Sequence, residues 1–265
     1  MPRRPRPPGR PDQPLSRRTV VAIDVAIVGA LVGAWQLFGS TSDYARLVFS
    51  TPSDVLGTLG GWASDASRWH DVLVTLEEGL LGFAVGTGLA FVLAILVVMV
   101  PWTARVLEAP VSALNAIPRV ALAPLFIVWL GIGTTSKLVY AASAIFFIAF
   151  YNLMTGLRAI DPAYVDRARS LGASRLWTLR AVYVPSGVGW IMTSLRLSIT
   201  WALIAAVTAE YLGSSQGLGN LILQGQYNLK TKVVLAGVLL IALIGFTGDR
   251  LLVRLERRFT MWRLS

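Results

Sequence analysis

Residues 79–100 read GLLGFAVGTGLAFVLAILVVMV, a run from Gly79 to Val100 without a charged side chain. At about 1.5 Å per helical residue, such a run crosses the hydrocarbon layer of a bilayer, which takes about 20 residues. Peptide groups in hydrocarbon have no water to bond, so they must bond within a helix or around a closed barrel. An unbroken apolar run selects the helix, because a barrel strand alternates. Leu138 to Leu157 passes the same test. Outward from these two, further spans are expected over Val20 to Phe38, Val106 to Leu130, Ser186 to Tyr211 and Val233 to Leu252, with the first run extended to Val72–Val100. The fold class expected is an all-α polytopic membrane protein with about six transmembrane helices.

Composition agrees, with 55% hydrophobic and 14% charged residues, where soluble domains carry about a quarter charged. The net charge of +10 could signal nucleic acid, but the basic residues gather at span ends and leave no separate basic domain. The partner they imply is the lipid bilayer, with no nucleic acid. Their bias also places both termini in the cytoplasm. The chain then divides into a disordered basic cytoplasmic tail over 1–19, a first transmembrane helix over 20–40 and an extracytoplasmic segment over 41–71. A transmembrane domain over 72–253 and a cytoplasmic C-terminal tail over 254–265 follow. The first apolar run is too long for a signal-peptide core and is followed by Ser40, Thr41, Ser42 and Asp43, a poor cleavage site, so it is read as retained. Cysteine is absent and His70 is the one histidine. Disulfides and a cysteine nucleophile are thereby excluded, and no metal site or cofactor is expected.

The third span is irregular. Pro110, Pro118 and Pro124 each remove a backbone donor, and Arg119 sits among apolar neighbours, so a kinked or broken helix is expected there.

Between the fourth and fifth spans, Arg158 to Pro185 mixes Asp161, Asp166 and several arginines with Ala168, Leu171, Leu176 and Leu179. It reads as two short amphipathic helices on the cytoplasmic side. The first starts at Asp161 as N-cap with Pro162 in the first turn and stops at Gly172, and the second starts near Ser174 and ends before Pro185. The run Asp166-Arg167-Ala168-Arg169-Ser170-Leu171-Gly172, then nine residues, then Val182-Tyr183-Val184-Pro185, resembles the Glu-Ala-Ala loop of binding-protein-dependent ABC importer permeases. Gly172 and Pro185 keep the family spacing; Asp166 replaces Glu, and Arg167 stands where alanine is usual. Ile117-Pro118-Arg119, Ala123-Pro124-Leu125-Phe126, Trp129 to Gly133, and Ala209 to Gly213 with Gly217-Leu218-Gly219 are similar to the nitrate, sulfonate and taurine branch. Near the start of the second span, Thr75-Leu76-Glu77-Glu78 has glutamate where the family often has arginine.

That resemblance implies the type I ABC importer permease fold in a bacterial plasma (inner) membrane. It implies a coupling loop over 158–185, with Asp166, Arg167, Ala168, Arg169, Ser170, Leu171 and Gly172 docked on an ABC ATPase dimer and Pro185 closing the motif. A second permease copy and an extracytoplasmic solute-binding protein complete the assembly. No Gly-Lys-Ser or Gly-Lys-Thr phosphate loop occurs in the chain, so ATP hydrolysis belongs to a separate partner and the chain is a transport subunit, not an enzyme. The expected cargo is a small oxyanion such as a sulfonate, taurine or nitrate. The alternatives are a thiamine precursor or other heterocycle, or an ATP-independent secondary transporter. Asn115, Arg119, Asn152, Arg196, Thr200, Trp201 and Glu210 are polar or amphipathic groups in apolar spans and are candidates for the substrate pathway. Arg119 and Arg196 could attract an anion; Arg196 could equally anchor its span, Asn152 satisfy a neighbouring helix, and Glu210 face the outer surface.

Overall fold

The computed structural model describes residues 16–100 and 102–260, with the backbone alone for Glu108 and residues 255–260. Most of the expected N-terminal tail, and the last five residues of the C-terminal one, lie outside the described residues. Among the described residues all regular structure is helical. The described residues up to Asp54 and those from Val55 onward form two compact units.

In the first unit, α1 (Arg17–Gly39) is capped by Ser16, whose hydroxyl accepts from the Thr19 amide. It starts within the segment expected as tail, and its apolar side chains are exposed along its length, as suits a helix whose solvent is hydrocarbon. The short α2 (Asp43–Phe49) folds back beside its end. There the Trp35 indole donates to the Phe49 carbonyl at 3.2 Å, and Arg46 holds both carboxylate oxygens of Asp54 at 2.8 and 2.7 Å. The stretch 41–71, expected as an extracytoplasmic segment, thus contains α2, α3 (Pro52–Ala63) and the first turns of the next span.

The second unit is built on α4 (Ala66–Met99), α7 (Thr134–Arg158) and α10 (Val184–Gly213), which pack on one another in every pairing. Their contacts are made by small residues. Ala141, Ala144, Ala202, Ala205 and Ala209 surround Ile145 in one core cluster, because in lipid the attraction between helices depends on close approach more than on apolar bulk. The α4–α7 crossing is close at Gly82 and Gly86, and at Gly86 an added Cβ would stand 2.6 Å from the Ala142 carbonyl oxygen. Gly86→Val is expected to push these helices apart and cost about 1–3 kcal/mol. A fall in the unfolding temperature of the detergent-purified protein checks this.

The third span is α5 (Trp102–Asn115) and α6 (Arg119–Leu130), joined by a 90° bend. Only Pro118 breaks it; Pro110 and Pro124 lie inside the helices. At the break Arg119 donates to the Leu114 and Asn115 carbonyls, two of the acceptors that a helix end leaves without partners. The break is therefore satisfied where it occurs.

After α7 come α8 (Pro162–Ser170), α9 (Arg175–Thr178), a π turn (Leu179–Tyr183) and α10, which run together as one apolar helix from Arg175 to Gly213. Pro185 does not end the second loop helix, as the sequence suggested. The π turn widens the backbone one residue ahead of it, with the Val184 amide donating to Leu179 O, so the ring enters without stopping the helix. On the far side, α11 (Leu218–Tyr227) and α12 (Thr231–Thr260) pack together and against α10. α12 continues past the expected boundary at 253. Among the described residues five helices are long and apolar enough to cross a membrane, or six when the bent α5–α6 pair is counted as one span.

Candidate functional site

The loop of residues 158–185 is locally determined. Asp161 caps α8 by accepting from the Ala163 amide at 2.9 Å, and Pro162 occupies the first turn, where its missing N–H costs nothing. The helix ends in a double hydrogen-bonded turn: the Gly172 amide reaches Arg169 O at 2.9 Å and the Ala173 amide reaches Ala168 O at 3.0 Å. Gly172 sits at φ +79°, a conformation that side chains with a Cβ disfavour. Val165 and Ala168 face inward, while Asp166, Arg167, Arg169, Ser170 and Leu171 face out. Arg167, where alanine was the expectation, therefore lies in solvent at no packing cost. Leu171 is 82% exposed, and Tyr164, Leu176 and Trp177 are exposed beside it. Such apolar side chains on a solvent-facing surface mark a place for another protein. Ser174 caps α9 by accepting from the Trp177 amide, and Arg175 donates to the Met99 carbonyl at the end of α4 at 2.8 Å.

The polar groups of the spans separate into two sets. On α10, Arg196, Thr200 and Trp201 share the exposed face. Arg196 holds Asp249 of α12 through both carboxylate oxygens, at 2.5 and 3.1 Å. Asn152 turns back on its own helix, donating to Ile148 O. Asn115 and Arg119 meet at the α5–α6 break, where an Arg119 nitrogen donates to Asn115 Oδ1 at 2.7 Å.

Glu210 lies on the opposite, buried face of α10 and is fully enclosed. Its Oε1 accepts from the Thr75 hydroxyl and its Oε2 from the Gly219 amide, both at 2.7 Å. It is neither an outer-surface carboxylate nor on an open pathway face here. Three consecutive amides at the start of α11 are taken by three side chains: Gly217 by Asp71, Leu218 by Thr75 and Gly219 by Glu210. Gly217 stands at φ +95° with the Glu210 carboxylate against its Cα, so this turn needs glycine. Beside it, Lys137 Nζ donates to Glu78 Oε1 at 2.6 Å and to Ser214 Oγ at 2.7 Å, and both charged side chains are more than nine-tenths buried. Thr75→Val keeps the shape but leaves the Leu218 amide and Glu210 short of a partner. A loss of about 1–3 kcal/mol is expected, measured as above.

Comparison with known proteins places the whole arrangement. Residues 82–261, about two thirds of the chain, match the family model described as binding-protein-dependent transport system inner membrane component. The chain belongs to that family.

The permease is 29% identical over 254 residues to the taurine transport system permease protein TauC of Escherichia coli, covering 94% of this chain and 92% of TauC. It is 28% identical over 235 residues to SsuC of Bacillus subtilis, named for aliphatic sulfonates transport, with 89% and 85% covered. It is 30% identical over 231 residues to the riboflavin transport system permease protein RibX of Chloroflexus aurantiacus, with 87% and 86% covered. Its fold is similar to a chain of an amino acid ABC transporter crystallised with histidines, at TM-score 0.62 and 17% identity over 78% of this chain and 97% of that one. The sequence reading of the permease missed the Glu78–Lys137 pair. One acid and one base, each at the edge of an apolar run, were the signal: charges that enter lipid need partners.

Proposed function

We propose that the permease forms the membrane path of an ATP-driven importer for small organosulfonates such as taurine. The observation that carries this reading is the family match joined to the TauC and SsuC similarities over most of the chain. ATP hydrolysis is assigned to a pair of separate ATPase chains, substrate delivery to an external solute-binding protein, and the second half of the path to another copy of this chain. The loop from Asp166 to Gly172 is the coupling element. Its exposed Leu171 and Tyr164, with Trp177 beside them, fit a cleft in the ATPase, and Pro185 joins it to the span that moves. Closure of the ATPases draws two such loops together and tips the spans between inward-open and outward-open arrangements. Both termini, with the basic N-terminal segment, lie in the cytoplasm under this reading. The pathway is assigned to exposed Asn115, Thr200 and Trp201 with half-buried Arg119, rather than to buried Glu210.

A heterocycle as cargo is the second reading, favoured by the similarity to RibX. The two are separated by copurifying the tagged permease with its ATPase, reconstituting the complex in liposomes and adding the binding protein. ATP-dependent uptake of taurine or ethanesulfonate is expected, and uptake of riboflavin alone would transfer the assignment. Flux without ATP through the permease by itself would remove the importer reading altogether.

A further inference from the structure

On the apolar helices of the second unit, Lys137 is matched by the Glu78 carboxylate and Arg196 by that of Asp249. Arg119 has no carboxylate partner among the described residues. Its contacts are the Leu114 and Asn115 carbonyls and Asn115 Oδ1, and its carbon CZ lies 4.0 Å from the centroid of the Phe147 ring. Phe147 is midway along α7, so the guanidinium sits near mid-span. A positive charge there costs about 3 kcal/mol or more unless it meets water or an anion. Bonding to carbonyls does not explain the charge, because a neutral amide donor would serve them. None of these contacts uses the Nε–H, and Arg119 is half-buried.

One turn from Phe147 towards the inner end, Tyr151, Thr155 and Arg158 follow at spacings that keep them on one face of α7. With Ser112 of α5 they line a cavity of about 140 Å³ between the two helices. A cation without a carboxylate partner thus stands about one turn beyond a cavity whose polar groups, Ser112, Tyr151, Thr155 and Arg158, face apolar ones such as Val97, Leu107 and Met154.

We propose that Arg119 is the anion contact of the transport path, receiving the sulfonate group of the solute at mid-span before it moves along the Tyr151, Thr155 and Arg158 face. This deepens the importer reading above and rests on it. The fork of the guanidinium suits the oxygens of a sulfonate, and stacking on Phe147 holds it in place. The unmatched charge is what attracts the solute.

The test uses the complete complex in liposomes, with permease, ATPase and binding protein, and measures ethanesulfonate imported per ATP hydrolysed. Arg119→Gln keeps donors for the carbonyls and removes the charge. It is expected to lower that ratio about tenfold or more, the worth of a charge-assisted hydrogen bond, while binding-protein-stimulated ATP hydrolysis persists. Arg119→Lys, which keeps the charge, is expected to retain more import than Arg119→Gln. A wild-type ratio in Arg119→Gln overturns the inference, and so does an Arg119→Lys variant as impaired as Arg119→Gln. A merely structural arginine would lower uptake and hydrolysis together, leaving the ratio in place. If the wild-type complex hydrolyses ATP on addition of binding protein yet imports neither taurine nor ethanesulfonate, the substrate reading fails first and the inference goes with it.

Discussion

Lys137→Ala is expected to destabilise the permease by about 3–5 kcal/mol, the cost of leaving one member of a buried ion pair without the other. In the wild type the buried Glu78 carboxylate has Lys137 at 2.6 Å, and its second oxygen has no hydrogen-bond partner among the described residues. Removing the ammonium leaves that carboxylate buried with no counter-charge, so it must take up a proton or open the bundle. The same lysine holds Ser214, so the turn leading to α11 loosens as well. Thermal unfolding of purified Lys137→Ala measures the loss, and the double variant Glu78→Met, Lys137→Met should recover most of it by replacing charges with apolar volume. A single variant as stable as the wild type would show that the pair contributes nothing, and a double variant worse than the single would show that the charges themselves are needed.

Gly172→Asp is expected to abolish ATP-driven uptake while leaving membrane insertion and helix content unchanged. An added Cβ at Gly172 meets nothing within 4 Å in this chain, so the substitution does not crowd the fold. The local penalty is the strain of φ +79°, about 1 kcal/mol, which an aspartate tolerates better than most residues. What changes is the outer surface of the turn, where a carboxylate would enter the patch around Leu171 that the proposed function docks on an ATPase. Gly172→Ala, with the strain but no charge, should retain more uptake. Normal uptake in Gly172→Asp sinks the coupling assignment; loss of insertion would mean that the turn is structural.

Much of this was legible beforehand because the decisive signals are local. An apolar run such as 79–100 states its own length, and Asp161-Pro162 with Gly172 states where a helix begins and ends. Other features depend on partners distant in sequence and were not legible. Three prolines in the third span look equally able to break it; only Pro118 does, because Arg119 is placed to take the carbonyls that the break frees. Pro185 resembles a stop, and nothing local shows that a π turn lets the helix continue through it. Glu210 was open to a pathway role because its partners, Thr75 and the Gly219 amide, come together only when α4, α10 and α11 pack. Arg119 and Arg196 look alike in the chain. They differ because Asp249 on the last span answers one of them, 53 positions away.

The π turn between α9 and α10 also fixes an angle. A π turn holds one more residue than the α-helical turn it replaces, and each residue of an α-helix advances its face by about 100°. Deleting one residue from Leu179–Tyr183 would let that turn close into ordinary α-helix with Leu176 and Trp177 still facing about the same way around the α10 axis, whereas a deletion within α10 would swing them by about 100°. The π turn is thus a place where the helix through Pro185 takes up an extra residue while the loop keeps its direction relative to the buried face of α10.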